Sequence, residues 1–136
     1  MSLKLEARAD NVMLVRQSIE GAVRVLGAAG TVVDDIKLAV TEACSNVVKY
    51  AYGDETGEMI IELISGDDHL IVRIRDFGEW REHDASGGVE VSGMGIPLME
   101  AVTRSHEITR GEDGTEVTLE FALHTDDPRS AVPRGE

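Results

Sequence analysis

Glu42, Asn46 and Lys49 stand at i, i+4 and i+7 of a stretch whose apolar residues recur with helical period. That spacing sends all three side chains from one face of a helix. A carboxylate there can polarise a hydroxyl or water, an amide carbonyl can ligate a divalent cation, and an ammonium can meet phosphate. A solvated polar stripe opposite the core would show the same spacing. Asp76-Phe77-Gly78 ends a run of strand-like residues, where a carboxylate can accept from an amino group and a glycine permits close approach of a ligand. Ser92-Gly93-Met94-Gly95 opens a further helical stretch, with N–H groups and a dipole suited to phosphate. Taken singly, an ordinary strand-ending turn and a flexible connector explain the last two equally well.

Other chemistries lack their residues. The run from Gly88 to Gly93 has the two glycines of a P-loop, but Met94 replaces its lysine. Gly93-Met94-Gly95 begins a dinucleotide fingerprint, yet Leu98 occupies the third glycine position. His69, His83, His106 and His124 are widely separated and no CxxC occurs, which argues against a dedicated zinc site. Cys44 falls on the core side of its helix and reads as a small core residue.

The elements that must position these groups follow from periodicity. Residues 3–9 alternate as an edge strand, and Asp10 or Asn11 can cap a helix whose apolar face is Val12, Val15, Ile19, Ala22, Val23 and Leu26. Gly27 and Gly30 are expected to end it. Thr31 and Asp34 form a weak capping box for a second helix, running to about Ala51 with Ile36, Ala39, Val40, Ala43, Val47 and Val48 inward. Residues 58–65 and 69–75 read as a hairpin through Gly66-Asp67-Asp68, followed by an aperiodic loop over 76–92. A short helix fits 94–103, a strand surrounds Ile108, and 115–123 alternates cleanly as a last strand. Hairpins outnumber crossovers in this order. The expected fold class is therefore α+β: a two-layer sandwich of a mainly antiparallel mixed sheet with helices on one face.

The chain has 136 residues, enough for one core, with 26 acidic residues against 13 basic and a formal charge of -13. Such a field repels polyanions, so no nucleic acid and no anionic membrane surface is expected as partner. A single cysteine, no apolar run near membrane-spanning length and no apolar h-region at the start lead us to expect a cytoplasmic protein. After His124 the composition turns polar, which divides the chain into a domain over 1–124 and a loose tail over 125–136.

Four short segments in this order resemble the GHKL superfamily of ATP-binding domains. Glu42-Ala-Cys-Ser-Asn46-Val-Val-Lys49-Tyr50 is similar to its N box, Asp76-Phe-Gly78 to its first glycine box, Ser92-Gly93-Met94-Gly95-Ile96 to the second and Gly114-Thr115 to the third. The resemblance covers about residues 3 to 123 and implies the histidine kinase/gyrase-type ATPase fold. Chain length and the wording SGMGIPLME at 92–100 are most similar to the anti-sigma-factor serine/threonine kinases of that superfamily. The resemblance implies ATP and Mg2+ as cofactors. It implies Glu42 as general base, Asn46 as magnesium ligand and Lys49 as phosphate contact. Asp76 would bind the adenine amino group, Gly78, Gly93, Met94 and Gly95 would line the nucleotide, and Thr115 would lie near the adenine. The loop from Glu79 to Ser92 would be the lid, with Arg81 its candidate γ-phosphate clamp. A sigma factor, a STAS-domain anti-anti-sigma factor and a second copy in a homodimer are the implied partners. Trp80 stands where the first glycine box usually has another glycine, and Tyr50 where many of these kinases have histidine. The residues leave two readings open: a kinase, or a non-catalytic nucleotide-dependent protein-binding switch of the same fold.

Overall fold

The computed structural model describes residues 1–79 and 100–124. Their elements are β1 (Ser2–Glu6), α1 (Ala9–Val25), α2 (Gly30–Tyr50), β2 (Glu58–Ser65), β3 (His69–Asp76), β4 (Ser105–Gly111) and β5 (Gly114–Ala122). The strands form one sheet in the order β1-β2-β3-β5-β4, and each of its pairings is antiparallel. The expected mainly antiparallel sheet is thus wholly antiparallel among the described residues.

Alternation decides which face of the sheet is buried. Met59, Ile61 and Leu63 of β2, Leu70, Val72 and Ile74 of β3, and Val117, Leu119 and Phe121 of β5 all turn inward. They meet Val15, Ile19 and Val23 of α1 and Val33, Ile36, Ala39, Val40, Ala43 and Val47 of α2 in one continuous core. Each fully buried aliphatic contributes about 2 kcal/mol of transfer free energy, which is why tertiary packing rather than helix propensity holds these elements. α1 packs on α2 and on β1, and α2 crosses β3 and β5. Cys44 belongs to this core, and burial pushes its thiol up to about 12.

Both helix starts differ from expectation. Arg8 is the N-cap of α1 and makes no side-chain capping bond. Ala7 N–H donates to Gly57 C=O at 2.8 Å, so the chain leaves the sheet at Arg8, before Asp10 or Asn11 can cap it. Asp10 instead meets the Arg8 guanidinium at 2.8 Å, and Asn11 donates its amide to Glu6 C=O at 2.9 Å. Likewise α2 begins at Gly30 with Ala29 as N-cap, placing Thr31 inside the first turn and Gly30 at a start rather than an end. Gly27 does end α1. With φ at 85°, its N–H reaches Arg24 C=O at 3.0 Å and Ala28 N–H reaches Val23 C=O at 3.1 Å, a Schellman closure. β1 is also shorter than the run 3–9, since Ala7 and Arg8 turn into α1.

Of the short helix expected over 94–103, residues 100–102 are helical. The remainder of it, most of the loop over 76–92, and the tail over 125–136 lie outside the described residues. No described helix is long and apolar enough to cross a membrane.

Candidate functional site

Three polar side chains are buried among the described residues: Asn46 at 4% exposure, Asp76 at 1% and Thr115 at 5%. A buried amide or hydroxyl without compensation costs a few kcal/mol, and a buried carboxylate more. Folding alone would favour apolar residues at such positions. Asp76 and Thr115 face each other at one end of the β3–β5 pair, and Asn46 lies on the helix that crosses it.

Backbone geometry brings them there. Asp76 is the last residue of β3 and pairs across the sheet with Thr115, the second residue of β5, so both side chains turn to the helix-bearing face. The helix crossing that face is α2. Its C-terminal end touches the residues after Asp76, because Glu79 N–H donates to Ala51 C=O at 2.7 Å. Asn46 lies five residues before Ala51, about 7.5 Å back along the helix axis. Glu42 is one turn further back and half-buried, while Lys49 is exposed near the C-terminal end. The three span about 60° of the helix circumference. Asn46 sits within 20° of Ala39, a core position, by the same geometry. The row is therefore a margin of the core, not a solvated stripe opposite it.

Gly78 is required by this approach of strand and helix. A Cβ there would stand 2.0 Å from Ala51 carbonyl oxygen and 2.9 Å from the Tyr52 ring. Gly78 N–H also donates to Asp76 Oδ1 at 3.0 Å, which turns the carboxylate inward at the corner. Gly114 is needed for a different reason. Its φ is +130°, and a Cβ would stand 2.0 Å from Asp76 carbonyl oxygen and 2.8 Å from Phe77 Cα. Replacing Gly114 with Ala is expected to destabilise the fold by about 3 kcal/mol, since backbone strain and a backbone clash add. Urea unfolding would measure it, and a loss under about 0.5 kcal/mol would refute the requirement.

Tyr52 is the residue that the sequence reading missed. Its hydroxyl accepts from Phe77 N–H at 2.8 Å and donates to Glu58 C=O. Burial pushes its pKa above the ordinary phenol value, and the hydrogen bond from Phe77 opposes this. Helical period could not reveal it, since Tyr52 lies past the end of α2 and its partner Phe77 is 25 residues on. The available signal was the pair Gly57 and Gly78, both of which leave room for its ring.

The candidate residues thus lie on two neighbouring elements: Glu42, Asn46 and Lys49 on one face of α2, and Asp76, Gly78 and Thr115 at the end of β3, just after it and at the start of β5. Arg81, Gly93, Met94 and Gly95 lie outside the described residues, as does Trp80. Among the described residues, no group of three or more His, Cys, Asp or Glu could hold a metal ion by itself. A hard cation bound here would find one carbonyl oxygen among these residues, that of Asn46.

The family model "Histidine kinase-like ATPase domain" matches residues 5–121. Among curated proteins, the serine-protein kinase RsbW of Bacillus cereus (strain Q1) is 32% identical over 78 residues, 57% of this chain and 49% of the relative. The same protein of Bacillus mycoides (strain KBAB4) matches at the same identity and coverage. The chain spans about half the length of these curated relatives. Among solved structures, the RsbU and RsbW domains of Rv1364c from Mycobacterium tuberculosis superpose with a TM-score of 0.69 at 23% identity, over 90% of this chain and 32% of that one. The histidine kinase domain of the Erythrobacter litoralis EL346 blue-light activated histidine kinase superposes with a TM-score of 0.57 at 20% identity, over 82% of this chain and 61% of that one. At these identities the structures establish a shared fold.

Proposed function

Because the chain belongs to the histidine kinase-like ATPase family, we propose that it binds Mg-ATP at the α2–β3 corner and phosphorylates a protein serine or threonine. The observation that carries this reading is that the family's motif positions Asn46, Asp76 and Thr115 are the three buried polar residues among the described ones, on α2 and on the β3–β5 pair that it crosses. Asp76 accepts from the adenine amino group. Gly78, with no side chain, lets the base approach, and Thr115 lies across from Asp76 beside it. The Asn46 carbonyl ligates the magnesium ion, which neutralises phosphate charge when bound. Lys49, at the exposed end of the row, meets phosphate. Glu42 orients and deprotonates the attacking hydroxyl as general base. Gly93, Met94, Gly95 and the Arg81 clamp complete the phosphate end by resemblance to the family's boxes.

The name serine-protein kinase carried by the relatives supports transfer to a protein hydroxyl. The substrate we propose is a STAS-domain anti-anti-sigma factor, with a sigma factor held as second partner, in the cytoplasm. A net charge of -13 disfavours nucleic acid as a ligand. A homodimer is proposed through β1, an edge strand, and α1, where Met13, Leu14 and Val25 are exposed. Sedimentation at micromolar concentrations should give the mass of two chains, and a monomer would refute that assembly.

Trp80, in place of a glycine at the root of the lid, favours a second reading as a nucleotide-dependent switch without transfer. The deciding experiment is titration with Mg-ATP in a calorimeter, then incubation of labelled ATP with a matched STAS partner. Saturable binding with label on the partner is expected. Binding without label would favour the switch, and no binding would refute both.

A further inference from the structure

The ladder between β2 and β3 stops one rung early. Met59 pairs with Asp76, so the next rung in register would join Glu58 to Phe77. The direction of the backbone groups says what kind of rung it would be. Gly57 C=O accepts from Ala7 N–H, and Leu63 N–H donates to Met1 C=O, so the odd positions of this segment address β1. Even positions therefore address β3, and Glu58 faces Phe77 as a hydrogen-bonded rung. Phe77 N–H would then reach Glu58 C=O directly. Instead the Tyr52 hydroxyl stands between them, accepting from Phe77 N–H and donating to Glu58 C=O. The two glycines flanking its ring show that the space is made for it. A Cβ on Gly57 would lie 2.1 Å from Tyr52 Cε1, and one on Gly78 2.9 Å from Cδ1.

We propose that Tyr52 is a positioning residue of the nucleotide site, its hydroxyl replacing one β-ladder bond so that β3 ends at Asp76 and the Asp76–Gly78 corner is directed at α2. This rests on the reading of that corner as the nucleotide site. The hydroxyl satisfies both groups of the interrupted rung, which frees the chain to leave the sheet without an orphaned N–H. From there Gly78 closes on Ala51 and Glu79 donates to Ala51 C=O. Without the hydroxyl, Phe77 N–H is drawn to Glu58 C=O, which extends β3 and pulls Gly78 and Glu79 from the end of α2.

The test is Tyr52→Phe, which keeps the ring and its packing. Two quantities are read on the full chain: the Kd for Mg-ATP by calorimetry, and amide hydrogen exchange without nucleotide. The variant is expected to bind Mg-ATP about 10-fold more weakly, as for loss of one well-placed hydrogen bond. The Glu79 amide should exchange at least about 10-fold faster, by the same measure. Ile61 and Val72, in the middle of the sheet, should keep their protection. Either readout unchanged overturns the proposal. Loss of protection at Glu79, Ile61 and Val72 together overturns it too, since Tyr52 would then be a general packing residue. If the wild-type protein itself fails to bind Mg-ATP, the nucleotide reading falls, and with it Tyr52 as part of that site. Exchange at Glu79 still decides whether the hydroxyl directs the corner.

Discussion

Asp76→Asn is expected to weaken Mg-ATP binding by about 100-fold while leaving the melting temperature of the ligand-free protein unchanged or raised. The two effects have separate origins. At 1% exposure the carboxylate is buried, and its Oδ1 accepts Gly78 N–H at 3.0 Å. Asn has the same shape and retains one carbonyl oxygen, so the bond from Gly78 can survive. A neutral amide is also cheaper to bury than a carboxylate. An adenine amino group, however, needs an acceptor. A carboxylate offers only acceptors, whereas an amide held by Gly78 through its oxygen presents NH2 to the ligand, donor against donor. Hydrogen bonds to charged groups contribute about 1.5–3 kcal/mol, which converts to roughly 10- to 150-fold before the repulsion is added. Unchanged affinity would remove Asp76 from the adenine site. A melting temperature lowered by more than about 10 °C would make its carboxylate a structural acceptor instead.

The same residues explain what could be read from the chain and what could not. Each strand whose alternation is strict, such as Val117, Leu119 and Phe121 of β5, was legible to within a residue or two, because period two with one buried face admits no other register. The helix starts were not. Capping residues Asp10, Asn11 and Thr31 are present, but tertiary bonds such as Ala7 N–H to Gly57 C=O turn the chain first, and local preference yields to them. Within the site, Glu42, Asn46 and Lys49 share one face as spacing requires. That Asn46 is buried could not follow from spacing, since whether a polar residue at a helix margin is covered depends on tertiary packing that no local pattern encodes. Tyr52 was hidden for the same reason. Its role depends on a bond spanning 25 residues, and no local pattern encodes that.

Burial also sets which half of the site is rigid. Asp76 and Thr115 lie on strands in the interior of the sheet order, and Gly114 and Gly78 leave no room for side chains where backbone meets backbone. The end proposed for adenine would thus be preorganised, and a base entering it would spend little on ordering protein groups. Glu42 and Lys49, half-buried and exposed on α2, belong to the end where phosphate and the second protein would meet. On the proposed reading, nucleotide binding and phosphoryl transfer would depend on different residues, and substitutions should separate them.

Glu42→Ala is the substitution that does so with the largest effect. We expect it to lower the rate of phosphoryl transfer to the partner protein by 10²- to 10⁴-fold, roughly the range for loss of a general base. The Kd for Mg-ATP should stay within about 3-fold, because Glu42 acts on the attacking hydroxyl rather than on the base or the metal. Ala is at least as good a helix former as Glu, and the position is half-buried rather than core, so α2 should remain intact. Single-turnover transfer of labelled phosphate, with calorimetry on the same samples, separates the outcomes. Loss of transfer with binding retained supports Glu42 as the base of a kinase. Transfer at the wild-type rate would exclude Glu42 from that role. No transfer by either protein, with equal nucleotide affinity, would mean that the chain uses this fold as a switch. Control of a partner would then rest on occupancy of the Asp76 corner, with Glu42 a polar residue on the margin of α2.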